Sequence, residues 1–245
     1  MRSESLRNKQ KRKKVTLKTR VGRLLLKLRG KKTLHFIHIG KTGGSAIKYA
    51  LQSADVAGSY KLRFHSHNVT LFDIPEGDAV FFVIRDPVSR FVSAFYSRKR
   101  QGRPKYDRPW SEGEKKAFRH FSTANQLALA LSANTEEERS AAEQAMVNIE
   151  HVEDFYWDWF GDEDYLLARK QDILFVGRQE FLAEDFERLK HRLALPESLH
   201  LPVGKVEAHR SESGEDTSLD LLGVENLKRW YAADYKFVEV LRDFI

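Results

Sequence analysis

The sequence predicts an α/β protein, a three-layer sandwich with a mostly parallel central sheet flanked by helices. Three observations carry this. Apolar runs of strand length recur at residues 34–39, 80–84 and 172–176. Each gives way within a few residues to a stretch with helical spacing, and glycine or proline marks each change of period. With 245 residues and 41% hydrophobic content, the chain can bury such a core unaided, and the absence of cysteine removes disulfides and thiolate metal sites.

In the first unit Leu34, Phe36, Ile37 and Ile39 form the strand, residues 40–45 break it, and Ala46, Ile47, Ala50 and Leu51 resume at helical spacing. In the next segment, residues 61–74, His65 and His67 stand two apart, which on an extended strand puts them on one side. Residues 80–84 are continuously apolar, as in a strand buried on both faces. Asp86 is then an N-cap candidate, with Pro87 at the first helical position. Val88, Phe91, Val92, Phe95 and Tyr96 form the buried stripe of that helix, while Ser89, Ser93 and Ser97 lie four apart on another face.

Residues 111–160 read as helical through Phe118, Phe121, Leu127, Met146, Ile149 and Val152. The aromatic tract at 155–160 reads as core rather than as a platform for sugars, and His151 just before it as a structural histidine on a helix, the alternative being one that faces an acceptor. The third strand ends at Gly177 and Arg178, and Phe181, Leu182, Phe186, Leu189 and Leu193 then take helical spacing, with Pro196 beyond. Arg178 is placed to approach a ligand or to pair with Glu180 or Asp185. The polar loop at 201–217 is of the kind that covers ligands, and residues 225–245 read as one amphipathic helix that closes the fold.

Two of these strand-to-helix junctions suit anions. Helix starts present unpartnered N–H groups, and the glycine-rich turn at 40–45 supplies one beside Lys41. At the second junction Arg85 can donate paired hydrogen bonds, and the small serines let an anion approach. The first turn is P-loop-like without being a Walker A loop, because Gly40, Lys41 and Thr42 are followed by Gly43, Gly44 and Ser45 instead of ending the motif. A Walker B strand would end in its metal-binding aspartate, whereas here Arg85 comes first and Asp86 serves better as a cap.

HIGKTGGSAI and VIRDPVSRFVSAFYSRKR together resemble the 5′-phosphosulfate loop and 3′-phosphate segment of sulfotransferases that use 3′-phosphoadenosine 5′-phosphosulfate (PAPS). The resemblance is to the carbohydrate sulfotransferases of the family 2 type, which include the uronyl and heparan sulfate 2-O-sulfotransferases and bacterial homologues. It implies that Lys41 contacts the bridging oxygen of the phosphosulfate, that Thr42, Gly43, Gly44 and Ser45 cradle the 5′-phosphate, and that Arg85 and Ser93 hold the 3′-phosphate. Gly40 stands where that family usually has proline, and Ser45 where it has threonine. FVGRQEFLAEDFERL resembles the late strand-helix segment of the same enzymes.

An acceptor hydroxyl needs a base, and histidine is the commonest one near neutral pH. His65 and His67 fit that need, a metal pair lacking its further ligands, or two polar residues of an edge strand. The uronyl enzymes carry a similar His-x-His, so the resemblance makes His67 the base, with His65 supporting orientation or acceptor binding. A sulfuryl group carries less charge than a phosphoryl group, so one lysine and oriented donors can stabilise the departing phosphate, and no metal is expected.

Charge is unevenly placed. Residues 1–32 carry 14 Lys or Arg against one acid, leaving 28 basic and 34 acidic residues in the remainder. The basic character therefore belongs to an N-terminal extension, and 33–245 reads as a single catalytic domain. Leucines at helical spacing within 15–28 point to a helix on an anionic membrane surface, or to a solvated tail; nucleic acid is disfavoured as a partner. The run LLLKL is too short to span a bilayer or to act as a signal peptide. The expectation is a bacterial cytoplasmic enzyme, peripheral at the inner membrane, that moves a sulfuryl group from PAPS to a saccharide or glycan hydroxyl and releases 3′-phosphoadenosine 5′-phosphate (PAP). The alternatives are a P-loop small-molecule kinase and a non-enzymatic protein that binds nucleic acid or membrane through its tail.

Overall fold

Strands that alternate with helices favour parallel pairing, since a crossover helix carries the chain back to the starting edge. The computed structural model describes residues 31–52, 60–104, 106–202 and 215–244. The basic extension up to residue 30, with its expected helix at 15–28, and residues 203–214 of the expected covering loop lie outside the described residues.

In chain order the elements are β1 (Lys32–Ile37), α1 (Gly44–Gln52), β2 (Tyr60–Phe64), β3 (Ala79–Ile84), α2 (Pro87–Lys99), α3 (Glu112–His120), α4 (Ala124–Ala130), α5 (Glu136–Asn148), α6 (Trp157–Phe160), α7 (Glu163–Ala168), β4 (Ile173–Arg178), α8 (Leu182–Leu193), α9 (Leu221–Trp230) and α10 (Ala232–Val240). The four strands form one all-parallel sheet in the order β2-β1-β3-β4. Because β1 connects outward to β2 and the chain then returns to β3 on its other side, the order reverses between β1 and β3. In open parallel sheets that switch point is where ligands bind, beyond the carboxyl ends of the strands.

Alternation sorts the side chains into two layers. Leu34, Phe36, Phe81 and Val83 pack against Ile47 and Leu51 of α1 and Phe186 and Leu189 of α8. On the opposite face Ile37, Val80, Phe82 and Val176 meet Tyr156, Phe160 and Phe237. A third cluster joins α2 to α3, α4, α5 and α9 through Phe91, Phe95, Phe121, Leu127, Met146 and Leu227. The expected three-layer α/β sandwich is the fold observed.

Three expectations are corrected. The helical region at 111–160 is broken into α3, α4, α5 and α6 because Ser111, Thr123 and Thr135 each cap a new start, accepting from Glu114, Gln126 and Glu138 main-chain N–H groups. The C-terminal helix is two helices that meet at Tyr231, which caps both and whose hydroxyl donates to Val152 O at 2.7 Å. His65 and His67 lie beyond the end of β2, in irregular chain and a turn respectively, so strand alternation does not govern them. The aromatic tract is core as expected, with Tyr156, Trp159 and Phe160 buried. Among the described residues no helix is long and apolar enough to cross a membrane.

Phe237 of α10 stacks on Tyr156 and Phe160 and meets Trp157 edge-on. Phe237→Ala is expected to destabilise the fold by about 3–5 kcal/mol, because the cavity left under three aromatic rings cannot collapse; urea unfolding measures it.

Candidate active site

The β1 to α1 connection turns on two left-handed residues, Lys41 at φ 67° and Gly43 at φ 82°. Holding a lysine there costs conformational energy, which the surrounding contacts must offset. Thr42 is buried and its hydroxyl donates to Ile39 O at 3.0 Å, so its side chain closes the turn instead of facing a ligand. At Gly44 a Cβ would stand 2.8 Å from the His38 ring and 2.9 Å from Phe36, so only glycine lets α1 start this close to β1.

The β3 to α2 junction is a second prepared end. Asp86 caps α2, accepting from Ser89 N–H at 2.8 Å, while its other oxygen accepts from the Tyr235 hydroxyl at 2.8 Å. Arg85 is clamped through its main chain: its N–H donates to the Tyr156 hydroxyl at 2.9 Å, and that hydroxyl donates to Arg85 O at 2.6 Å. The clamp is built on buried charge. Arg90 lies under the Tyr156 ring, pairs with Asp234 at 3.3 Å and donates to Asp154 O, and Asp234 accepts from Tyr156 N–H at 2.8 Å. Burial pushes Asp234 up to about 6 against the pull of Arg90. The side chain of Arg85 then reaches Ser89 Oγ at 2.8 Å and Lys41 O at 3.5 Å, so the two loops touch.

Between them opens a cleft of about 700 Å³. Lys41, Gly43, Gly44, Ser45, Arg85, Ser93 and His67 all line it; Thr42 and His65 do not. Arg98 and Arg108 add to its cationic wall, and Glu150 is the one carboxylate among the described lining residues. Arg98 is spoken for by a two-point bond to Glu114 at 2.6 and 2.8 Å, and Glu150 takes Arg108 at 2.9 Å. An excess of fixed positive charge in a concave wall draws in a multiply charged anion. Loss of hydration, then the charges of Arg100 and Arg85, lower the Lys41 ammonium to about 8.

The two expected histidines part company. His65 turns away to His35, with Nε2 to Nδ1 at 2.8 Å and the rings stacked, and His35 Nε2 faces Asp78 at 3.3 Å. Loss of hydration and the neighbouring His35 and Arg63 hold His65 down to about 4. His67 faces the cleft. Its Nδ1 lies 2.8 Å from His38 O, and because a carbonyl only accepts, the ring proton sits on Nδ1 and Nε2 is left with a free lone pair. Loss of hydration and then His151 lower its pKa below the usual histidine value, so the ring is neutral at pH 7.

Three residues that meet the expected ones were not among the expected site residues. His38 stacks on Phe36 and faces His67 at 4.2 Å between ring centroids; its place two residues before the glycine turn was the available signal. His151 was expected on a helix, yet it sits in a turn at φ 69° with its ring 5.3 Å from that of His67, a conformation no periodicity reveals. Tyr156 reads as core from its neighbours, and only the fold brings its hydroxyl to Arg85. Arg178 is confirmed in a salt bridge, at 3.1 Å from Asp185. Among the described residues no group of three or more His, Cys, Asp or Glu could hold a metal ion.

A family model described as the sulfotransferase family matches residues 26–237. No curated protein matches the chain.

Tyr156→Phe removes both hydrogen bonds at the Arg85 main chain while leaving the ring packing intact. It is expected to weaken binding of adenosine 3′,5′-bisphosphate about tenfold, read by calorimetry, as two lost bonds of roughly 1 kcal/mol each would allow.

Proposed function

The chain belongs to the sulfotransferase family and is a sulfotransferase enzyme, with PAPS as the co-substrate general to that family; on that premise we propose that it moves the sulfuryl group to a hydroxyl of a saccharide or glycan, with His67 as base and Lys41 at the leaving phosphate. The observation that carries this reading is the opposition, in one cleft, of an imidazole with its proton turned away and an ammonium on an anion-binding turn.

In this reading Gly43, Gly44, Ser45 and the main chain of Thr42 cradle the 5′-phosphate, and Arg85 with Ser93 holds the 3′-phosphate, so the nucleotide is gripped at both ends. The acceptor oxygen attacks sulfur in line; its bond to sulfur forms as the bond from sulfur to the bridging phosphate oxygen breaks. The acceptor proton passes to Nε2 of His67, and the charge that develops on the leaving oxygen meets the Lys41 ammonium. No metal takes part in the step. Residues 33–245 act as one catalytic domain in this reading, and the basic extension is an attachment to an anionic membrane surface.

Calorimetry with PAP and with ATP, each with and without magnesium, tests the nucleotide assignment. PAP is expected to bind independently of metal and to lose affinity in Lys41→Ala and Arg85→Ala; preference for magnesium-ATP would sink the assignment. His67→Ala should retain PAP affinity and lose about 10²- to 10⁴-fold in kcat, the span expected of a general base.

The pH profile of kcat/KM should be bell-shaped. The base works only when neutral, so activity rises with pH through the His67 value, which lies below 6.5. The lysine works only when protonated, so activity falls as pH passes about 8. A plateau extending above pH 9 would remove Lys41 from the role.

A further inference from the structure

His151 is held in place by its own backbone and two neighbours. Its left-handed backbone at φ 69° is one few side chains adopt, its Nδ1 stands 3.3 Å from Asp154 Oδ2, and its ring lies flush against the glycine turn. A Cβ at position 40 would meet His151 Nδ1 at 2.6 Å and Cε1 at 2.9 Å. The absence of a side chain at Gly40 is therefore what admits the ring. From that seat His151 meets His67 at a 67° interplanar angle, and both rings line the cleft.

We propose that His151 is a positioning residue for His67: seated on Gly40 and held by Asp154, it braces the His67 ring so that Nε2 stays turned toward the acceptor. This inference rests on the reading of His67 as the base. The Asp154 carboxylate can only accept, so it calls for a proton on His151 Nδ1 and fixes that ring's orientation. His67 is thus fixed from two sides, by His38 O at Nδ1 and by His151 against the ring, while the Trp159 indole donates to His67 O at 2.8 Å.

The arrangement also sets the charge on the base. The titratable groups facing His67 are His38 from the β1 turn, and Glu150, His151 and Asp154 from the α5 to α6 connection. Protonation of His151 opposes protonation of His67, whereas Asp154 and Glu150 favour it. Removing His151 and removing the Asp154 charge must then move the His67 titration in opposite directions.

Histidine ring titration by NMR on the full chain saturated with PAP tests this, in the wild type, His151→Ala and Asp154→Asn. The His67 midpoint is expected to rise in His151→Ala and to fall in Asp154→Asn. Simple loosening of the turn would rehydrate the ring and raise the midpoint in both, and that result overturns the proposal, as does a midpoint that ignores both substitutions. A His67 ring that carries its proton on Nε2 overturns the base assignment itself, so the two failures are distinguishable.

The seat is tested separately by a double-substitution cycle. Gly40→Ala is expected to lower the melting temperature in the wild-type background and to leave it unchanged in His151→Ala, where the obstructing ring is gone. Equal losses in the two backgrounds would show that Gly40 does not make room for His151.

Discussion

The parallel pairing of β1 with β3 is the constraint on which the rest of the site depends. Leu34 to Ile37 lie opposite Ala79 to Phe82, so both strands stop at nearly the same level and deliver their loops side by side. Lys41 and Arg85 stand 44 positions apart in the chain, yet the guanidinium of one reaches the carbonyl of the other. A slip of one residue in that register would turn a strand's inward residues outward and separate the two loops. Because β2 and β4 pair outside this central couple, the switch in strand order falls where the two loops open.

Fixed charge is then arranged around that opening. The second loop is stiffened from beneath by Tyr156, Arg90 and Asp234, a cluster sealed in the interior and supplied by the α5 to α6 connection, α2 and α10. Breaking any one member would leave a buried charge or hydroxyl without a partner, which is far costlier than the net gain of making such a pair. The C-terminal helix therefore does more than cover the sheet: through Asp234 and through Tyr235 on Asp86 it sets the end of β3. Lys41 is stripped of water by burial and crowded by Arg100 and Arg85, so its ammonium is more readily deprotonated than a solvated one; an incoming anion relieves that crowding.

Much of this was legible in the chain because it is written in local patterns. Continuous apolar runs fit strands buried on both faces, the Asp86 and Pro87 pair begins a helix, and the glycines at 43 and 44 mark a turn that side chains would obstruct. Length of pattern misled where several short helices follow one another: the capping residues Ser111, Thr123 and Thr135 look like ordinary polar positions until the starts they cap are seen. The pairing of His65 with His67 failed for a related reason, since the strand that would have aligned them ends at Phe64.

The sequence by itself determined the α/β class and marked the two strand-to-helix junctions, and its resemblance to a family implied that Lys41, Gly43, Gly44, Ser45, Arg85, Ser93 and His67 belong together; all seven line one cleft. The class and the junctions depend on residue type and near neighbours, which a linear chain displays. Tertiary structure alone decided that His65 belongs with His35 and Asp78, that Thr42 turns inward, and that His151 meets His67 and Tyr156 bonds the Arg85 main chain from distant segments. Contacts of that kind are set by how layers pack and where a turn leaves a gap, and no spacing in the chain encodes the distance between a glycine at 40 and a histidine at 151.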